Sequence, residues 1–381
     1  MINISEPNIT KKDELSVLMA MRNKIVSSFG KNSEILGRKF SKIQKFKYCL
    51  ALNSGTSALH LALKVNNVGK DKLVIMPSYT FSATANAVIY CGAEPWFHDV
   101  DENDMMLDIK KIEISLKKNL IYKKNKWVHN KKFKEIGCIL VVTSFGKSPD
   151  ILKLNEIKKK YNIPIIIDAA AGHFAKFNNT FLGKFDFDTI YSFNGNKNIT
   201  SGSGGAYCTN KKKNFYLSKT LSQVGQDKKK YKYLMVGFNY KMNNLQSSLA
   251  ISQLLKFNEF YKKKKIIFSH YEKNIKINKY LQKITNYKYQ KNCGWLYYIK
   301  ISKLKIKNHL IKYLKSKKYL TSSFWIPLHL QLPYKNFLKE DLKVTNLEYP
   351  KILVLPSSTF LRKNIIEGIC KEINKFFESR C

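Results

Sequence analysis

One lysine, Lys197, stands in the stretch Asp188 to Gly205 among small and hydroxyl residues, in a chain of 64 lysines. The apolar run Thr189-Ile190-Tyr191 leads into a polar turn (Ser192, Asn194, Asn196), then the lysine, then Gly202-Ser203-Gly204-Gly205, where backbone can approach a ligand closely. An amine attacks carbonyls only when its surroundings lower its pKa, which semi-burial among apolar or cationic neighbours does. The chemistry would be a Schiff-base lysine holding an aldehyde cofactor. The alternative is one more solvated surface lysine.

Three other features could serve such a cofactor. Asp168 closes the apolar run Ile163-Pro164-Ile165-Ile166-Ile167. A carboxylate ending a strand covered on both faces is costly unless paired, and sheets of this kind bind ligands at that edge. A neighbouring cation would resolve the cost; capping the next turn is the other account. Asn53-Ser54-Gly55-Thr56-Ser57 lies between a short apolar strand and an apolar helix. That geometry suits a phosphate held by free amides and the helix dipole, or an ordinary N-cap. Phe81, just past a strand end, could lie over a flat cofactor or pack in the core.

The elements that must position these residues alternate. Helical spacing over 11–47, broken near Ser27-Ser28-Phe29-Gly30, precedes strands at 48–52, 73–76, 96–101, 139–142 and 163–167, with helices between them. This is an α/β pattern with a largely parallel sheet. The lysine-dense residues 109–135 read as a helix followed by a solvated surface excursion. An amphipathic helix from Leu245 to about Lys265 reads as a connector. It leads to a strand at 295–299, a helix at 307–317, an extended Phe324-Trp325-Ile326-Pro327 and a last helix at 364–377. The expected organisation is a large domain over 1–255, including the N-terminal helices, and a small C-terminal α/β domain over 256–381.

At 381 residues and 44% hydrophobic content the chain has ample material for such a core. No apolar run reaches the roughly 18–20 residues of a membrane span, and Met1 to Leu15 lacks the apolar centre of a signal peptide. Seven cysteines (Cys49, Cys91, Cys138, Cys208, Cys293, Cys370, Cys381), never in C-x-x-C, suit reduced thiols in a cytoplasm and argue against a zinc site. The net charge of +41 invites a nucleic-acid reading, but only Arg22, Arg38, Arg362 and Arg380 offer the bidentate fork usual at phosphates and bases. A solvated basic surface, attractive to a phosphate-bearing substrate, accounts for the charge without nucleic acid or membrane as partner.

Taken in order, these pieces resemble the DegT/DnrJ/StrS sugar-nucleotide aminotransferases, which are fold-type-I pyridoxal-phosphate enzymes. The resemblance spans nearly the whole chain. It rests on Asn53 to Leu63, Pro77-Ser78-Tyr79-Thr80-Phe81, Gly92-Ala93-Glu94-Pro95 before Asp99-Val100-Asp101, Asp168-Ala169-Ala170, Tyr191-Ser192-Phe193 with Lys197, Gly204-Gly205, and Gly237 to Met242. It implies a large domain with a mostly parallel seven-stranded sheet, and pyridoxal 5'-phosphate as cofactor without a metal. Lys197 would be the cofactor-bearing lysine and acid/base, and Asp168 the partner of the ring nitrogen. Gly55, Thr56, Ser57 and Ser192 would hold the phosphate, and Phe81 would stack on the ring. Asn239 would reach the phosphate of a neighbouring subunit, so a homodimer with shared sites is expected.

Asn194-Gly195-Asn196-Lys197 and Phe324 to Gln331 resemble the branch acting on UDP-linked 2-acetamido-2,6-dideoxy-4-ketohexoses, with glutamate as amine donor. Asn194, Trp325 and His329 are the candidate substrate contacts. Three positions depart from the family pattern: Ala171, where a polar residue is usual; Lys241, where arginine is usual; and Thr143-Ser144-Phe145-Gly146, which lacks a common histidine. A cofactor-binding protein without turnover and a basic nucleic-acid binder are the competing readings.

Overall fold

The computed structural model describes residues 1–227, 231–291 and 293–378; Arg380 and Cys381 lie outside them. Seven strands make the centre of the main sheet: β1 (Tyr48–Leu52), β2 (Lys72–Pro77), β3 (Glu94–His98), β4 (Glu135–Val142), β5 (Ile165–Asp168), β6 (Asp188–Ser192) and β7 (Gly205–Thr209). Their spatial order is β1-β7-β6-β5-β4-β2-β3. Neighbours are parallel except at β7, which runs antiparallel to both β1 and β6.

Strand β5 shows how the sequence sets the site. The helix Ile151–Tyr161 begins with the Asp150 side chain accepting the amides of Leu152 and Lys153 and ends at left-handed Asn162, φ 49°. The chain then enters β5, where Ile165, Ile166, Ile167 and Asp168 are all buried. Helices on both faces require such an unbroken apolar strand, and Asp168 emerges at its carboxyl end.

The sheet has ten strands among the described residues, where seven were expected. Leu338–Lys339 adds parallel to β3, and a hairpin of Leu120–Lys123 with Lys126–His129 joins β4 antiparallel. The expected helix is present at Ile109–Asn119; the hairpin corrects the reading of the residues after it as a surface excursion. Its two-residue turn, Lys124-Asn125, has positive φ at both positions, 48° and 59°, the geometry that matches strand twist. Lysine in place of the usual Asn or Gly hid that turn inside a basic run.

The expected connector is two helices, Asn244–Leu255 and Phe257–Asn274. At the break, Lys256 Nζ reaches the buried carboxylate of Asp13, with further bonds to the Asn8 carbonyl and the Thr10 hydroxyl. This ion pair ties the N-terminal helix Lys11–Arg22 to the chain leaving the main sheet. Beyond it lies a second core. Leu281–Lys283, Tyr297–Ile301 and Ile352–Leu355 form an antiparallel sheet, packed with helices Phe257–Asn274, Leu304–Ser316 and Lys363–Glu378. Among the described residues no helix is long and apolar enough to cross a membrane.

Candidate active site

A cavity of about 350 Å³ opens at the carboxyl ends of β5 and β6, a volume in the range of small-ligand sites. Gly55, Thr56, Phe81, Asp168, Ala171, Ser192, Asn194, Lys197 and Trp325 all line it. Residues as far apart in sequence as Ser54 and Trp325 therefore line one cavity.

Asp168 is buried, with 3% of its surface exposed. Its Oδ2 accepts from the Thr84 hydroxyl at 2.9 Å and its Oδ1 from the Ala170 amide at 3.0 Å. Burial raises its pKa above the ordinary carboxylate value, against the pull of the Ala170 amide, the Thr84 hydroxyl and Lys197. Among the described residues it has no ion-pair partner within 4 Å. A carboxylate so placed on a cavity wall fits a ligand that brings a cationic N–H, as a pyridinium does.

Lys197 sits in the loop after β6. Its amide donates to the Asn194 carbonyl, and Ser201 N–H returns to the Phe193 carbonyl, closing the loop into a compact turn. The residue is half-buried, and loss of water around its amine brings the pKa down to about 8, with Asp168 pulling the other way. Gly204, at φ 142°, supports this loop at close quarters: a Cβ there would lie 2.2 Å from Met242 Cε. The shift moves the amine toward the neutral, nucleophilic form relative to a fully solvated lysine.

Ser54 Oγ accepts the Ser57 amide at the start of helix Gly55–Val65. The amides of Gly55 and Thr56, in the first turn, have no intrahelical carbonyl to bond and lie on the cavity wall. A Cβ on Gly55 would come within 2.9 Å of Ser192 Cβ, so glycine lets the helix N-terminus close on β6. The dipole and free amides make an anion site there. Ser57 does not line the cavity. Its hydroxyl, expected to meet the phosphate, donates to Asn53 Oδ1 at 2.7 Å and contacts Ser54 Oγ at 2.8 Å. The N-cap reading of this turn holds in Ser54, and leaves the Gly55 and Thr56 residues on the cavity for an anion.

Phe81 is 58% exposed at the cavity rim rather than packed in the core. His329, an expected substrate contact, lies behind the wall and does not line the cavity. It is buried, with Nδ1 2.6 Å from Ser78 Oγ and Nε2 3.0 Å from Asn346 Oδ1. Its extended neighbours Phe324 and Trp325 face the cavity while the following short helical turn carries His329 inward. His329→Ala leaves buried polar partners unmatched, so it lowers unfolding stability by about 1–3 kcal/mol in a denaturant titration and leaves KM for the sugar substrate unchanged. Asn239 is exposed and also outside the cavity, its carbonyl accepting from Asn53 Nδ2.

Sequence reasoning missed Thr84 and Trp295. Thr84 lies in the first turn of the helix Ser82–Tyr90, three residues after its extended N-cap Phe81. Trp295, which places its ring over Lys197, comes from the second core, and nothing local to it points to the site.

Fold and site together define a pyridoxal-phosphate-dependent transferase of fold type I. The chain belongs to the DegT/DnrJ/EryC1/StrS aminotransferase family, whose profile matches residues 7–374; it is a sugar aminotransferase of that family. It is 32% identical over 300 residues to a UDP-4-amino-4,6-dideoxy-N-acetyl-beta-L-altrosamine transaminase from Campylobacter jejuni strain 81-176, covering 78% of this chain and 76% of the relative. It is 27% identical to a GDP-perosamine synthase from Caulobacter vibrioides, over 98% of each chain. The structure of PseC from Helicobacter pylori, an aminotransferase involved in the biosynthesis of pseudoaminic acid, superposes with a TM-score of 0.87 at 25% identity over 99% of both chains. The pyridoxal-phosphate form of Spr1654 from Streptococcus pneumoniae, at 22% identity, shares the fold with a TM-score of 0.87 over 100% of this chain and 99% of that one.

Proposed function

We propose that this enzyme moves an amino group from glutamate to the C4 ketone of a nucleotide-linked 2-acetamido-2,6-dideoxy-4-ketohexose, in the building of a surface glycan. The observation that carries the reading is Lys197 and Asp168 lining one cavity, the amine tuned down and the buried carboxylate with no ion-pair partner within 4 Å among the described residues. The relative that acts on an N-acetylated 4-amino-4,6-dideoxy sugar supports the carbon and the deoxy position. Relatives named for UDP- and GDP-linked sugars leave the nucleotide to experiment.

Pyridoxal phosphate, when bound, supplies an electron sink for the carbon that carries the nitrogen. Lys197 Nζ would be the base that takes the proton from the donor's amine-bearing carbon and, in the second half of the cycle, the acid-base group that delivers one to the sugar carbon being aminated. Asp168, held by Thr84 and Ala170, would keep a proton on the ring nitrogen. The Gly55 and Thr56 amides and the Ser192 hydroxyl would hold the phosphate, and Phe81 would cover the ring. Asn194 and Trp325 face the sugar. Asn239 reaches the site of a second subunit, so the working unit is a homodimer. The six described cysteines are free and buried, in keeping with a reducing cytoplasm.

The test is a panel of UDP-, GDP- and dTDP-linked ketosugars, with glutamate as donor and mass spectrometry of the product. Amination of a UDP-linked 4-keto sugar supports the proposal, and amination solely at C3, or with every donor except glutamate, sinks that part of it. The pH dependence is also fixed in sign. Cofactor capture needs the neutral amine, so the rate at which apo-protein takes up pyridoxal phosphate rises with pH and levels off above about 8, followed as visible absorbance after mixing.

A further inference from the structure

The Lys197 amine lies 3.6 Å from the centroid of the Trp295 ring. That ring belongs to the segment entering strand Tyr297–Ile301 of the second core, and it is 4% exposed. Its position is fixed from several sides. The Trp295 amide donates to the Phe145 carbonyl at 2.7 Å, and its own carbonyl accepts from the buried amine of Lys264. The indole Nε1–H donates to the Asn196 carbonyl at 2.7 Å, and Asn198 Nδ2 donates to the Gly294 carbonyl at 3.3 Å. The residues on each side of Lys197 are thus tied to Trp295 and to the residue before it. The ring face is held against the amine, and the amine's loop is held against the ring.

A ring face attracts an ammonium through its quadrupole but has no such pull on a neutral amine. Burial works in the opposite direction and favours the neutral form. We propose that Trp295 is a positioning residue for Lys197: its face holds the amine while that amine carries a proton, and its indole N–H fixes the loop from which the amine reaches the reacting carbon. A proton carrier is most effective when its two forms are close in free energy at the working pH. The balance of burial against ring face and Asp168 serves that condition. The groups around the amine are few. Asp168 faces it from β5 and favours its charge. His173 is kept neutral by burial, with Lys197 adding to the effect. Lys264 stands on the far side of the Trp295 carbonyl.

The inference deepens the reading of Lys197 as the reacting amine and rests on it, yet it can be measured on the apo-protein. A trace of an acylating reagent is added across a pH series, and the extent of labelling at Lys197 is read by peptide mass spectrometry. Trp295→Leu removes the ring face and the N–H; Trp295→Phe keeps a face and loses the N–H. The wild-type titration midpoint is expected near 8. Trp295→Leu lowers it by about one pH unit, and Trp295→Phe lowers it by less than half as much. With cofactor and substrates, kcat falls in both variants, and Phe restores part of what Leu loses.

Unchanged midpoints in both variants, equal changes in both, or an upward movement in a folded variant would each overturn the proposal. Circular dichroism and the thermal midpoint identify the folded variants. If Trp295→Leu does not fold, Trp295→Met takes its place, filling the volume without a ring. An active Lys197→Ala enzyme would instead remove the underlying reading, and that result does not depend on the titration.

Discussion

Lys197→Ala lowers kcat by about 10⁴-fold or more while leaving a folded protein. Two separate functions disappear together: the amine that holds the aldehyde cofactor, and the group that shuttles the proton. Addition of pyridoxal phosphate then gives no lysine-dependent visible band, and glutamate no longer changes the spectrum. The stability of the apo-protein distinguishes this from misfolding. Burial lowers the Lys197 pKa from 10.5 to about 8, so the folded state binds that proton less tightly than the unfolded state does. Below about pH 8 the lysine costs the fold stability, and the cost is relieved as pH rises toward 10.5. The alanine variant is therefore more heat-stable than wild type at pH 7, and the difference shrinks across that window. Lys197→Arg is as inactive as alanine, because a guanidinium does not give up its proton. A Lys197→Ala protein with appreciable turnover would remove the lysine from the mechanism.

Asp168→Asn is expected to lower kcat by roughly 10²–10³-fold while the apo-protein keeps or gains stability. The amide fits the same space: its oxygen can accept the Ala170 amide, and the Thr84 hydroxyl, 3.0 Å from Thr80 Oγ1, can turn to accept rather than donate. What is lost is the charge that holds a proton on the cofactor's ring nitrogen. In the apo-protein that charge is a liability. Burial raises the Asp168 pKa above 3.8, so the ionised carboxylate destabilises the fold at pH values above both its pKa values, and asparagine removes the cost. The expected pattern is a thermal midpoint at or above wild type without cofactor, and a smaller gain on adding pyridoxal phosphate. Near-normal kcat in Asp168→Asn would show that the ring nitrogen has another partner.

Much of the site was legible because each of its parts is local. Asp168 ends an apolar strand, the phosphate turn joins a strand to a helix, and Lys197 follows a strand into a glycine-rich loop. Each is recognisable within about ten residues, since strand, turn and helix impose short-range rules on residue type. The same locality limits how far spacing can place a side chain. Ser57 carried the right type for a phosphate ligand, but Asn53 and Ser54 claim its hydroxyl. His329 shared an extended segment with Trp325, but a single helical turn sends it to Ser78 and Asn346.

By itself the sequence determined the α/β pattern and singled out the strand ends and the lysine proposed to carry the chemistry, because alternation of apolar runs and turn residues is a local constraint. Tertiary structure alone decided which residues meet. It brought the Trp295 ring from the second core over the Lys197 amine, placed Thr84 on the Asp168 carboxylate, and extended the sheet with a hairpin hidden among lysines. The physical reason is that burial, pKa and ring contact depend on side chains packed from elements distant in the chain, and no local spacing rule encodes that packing.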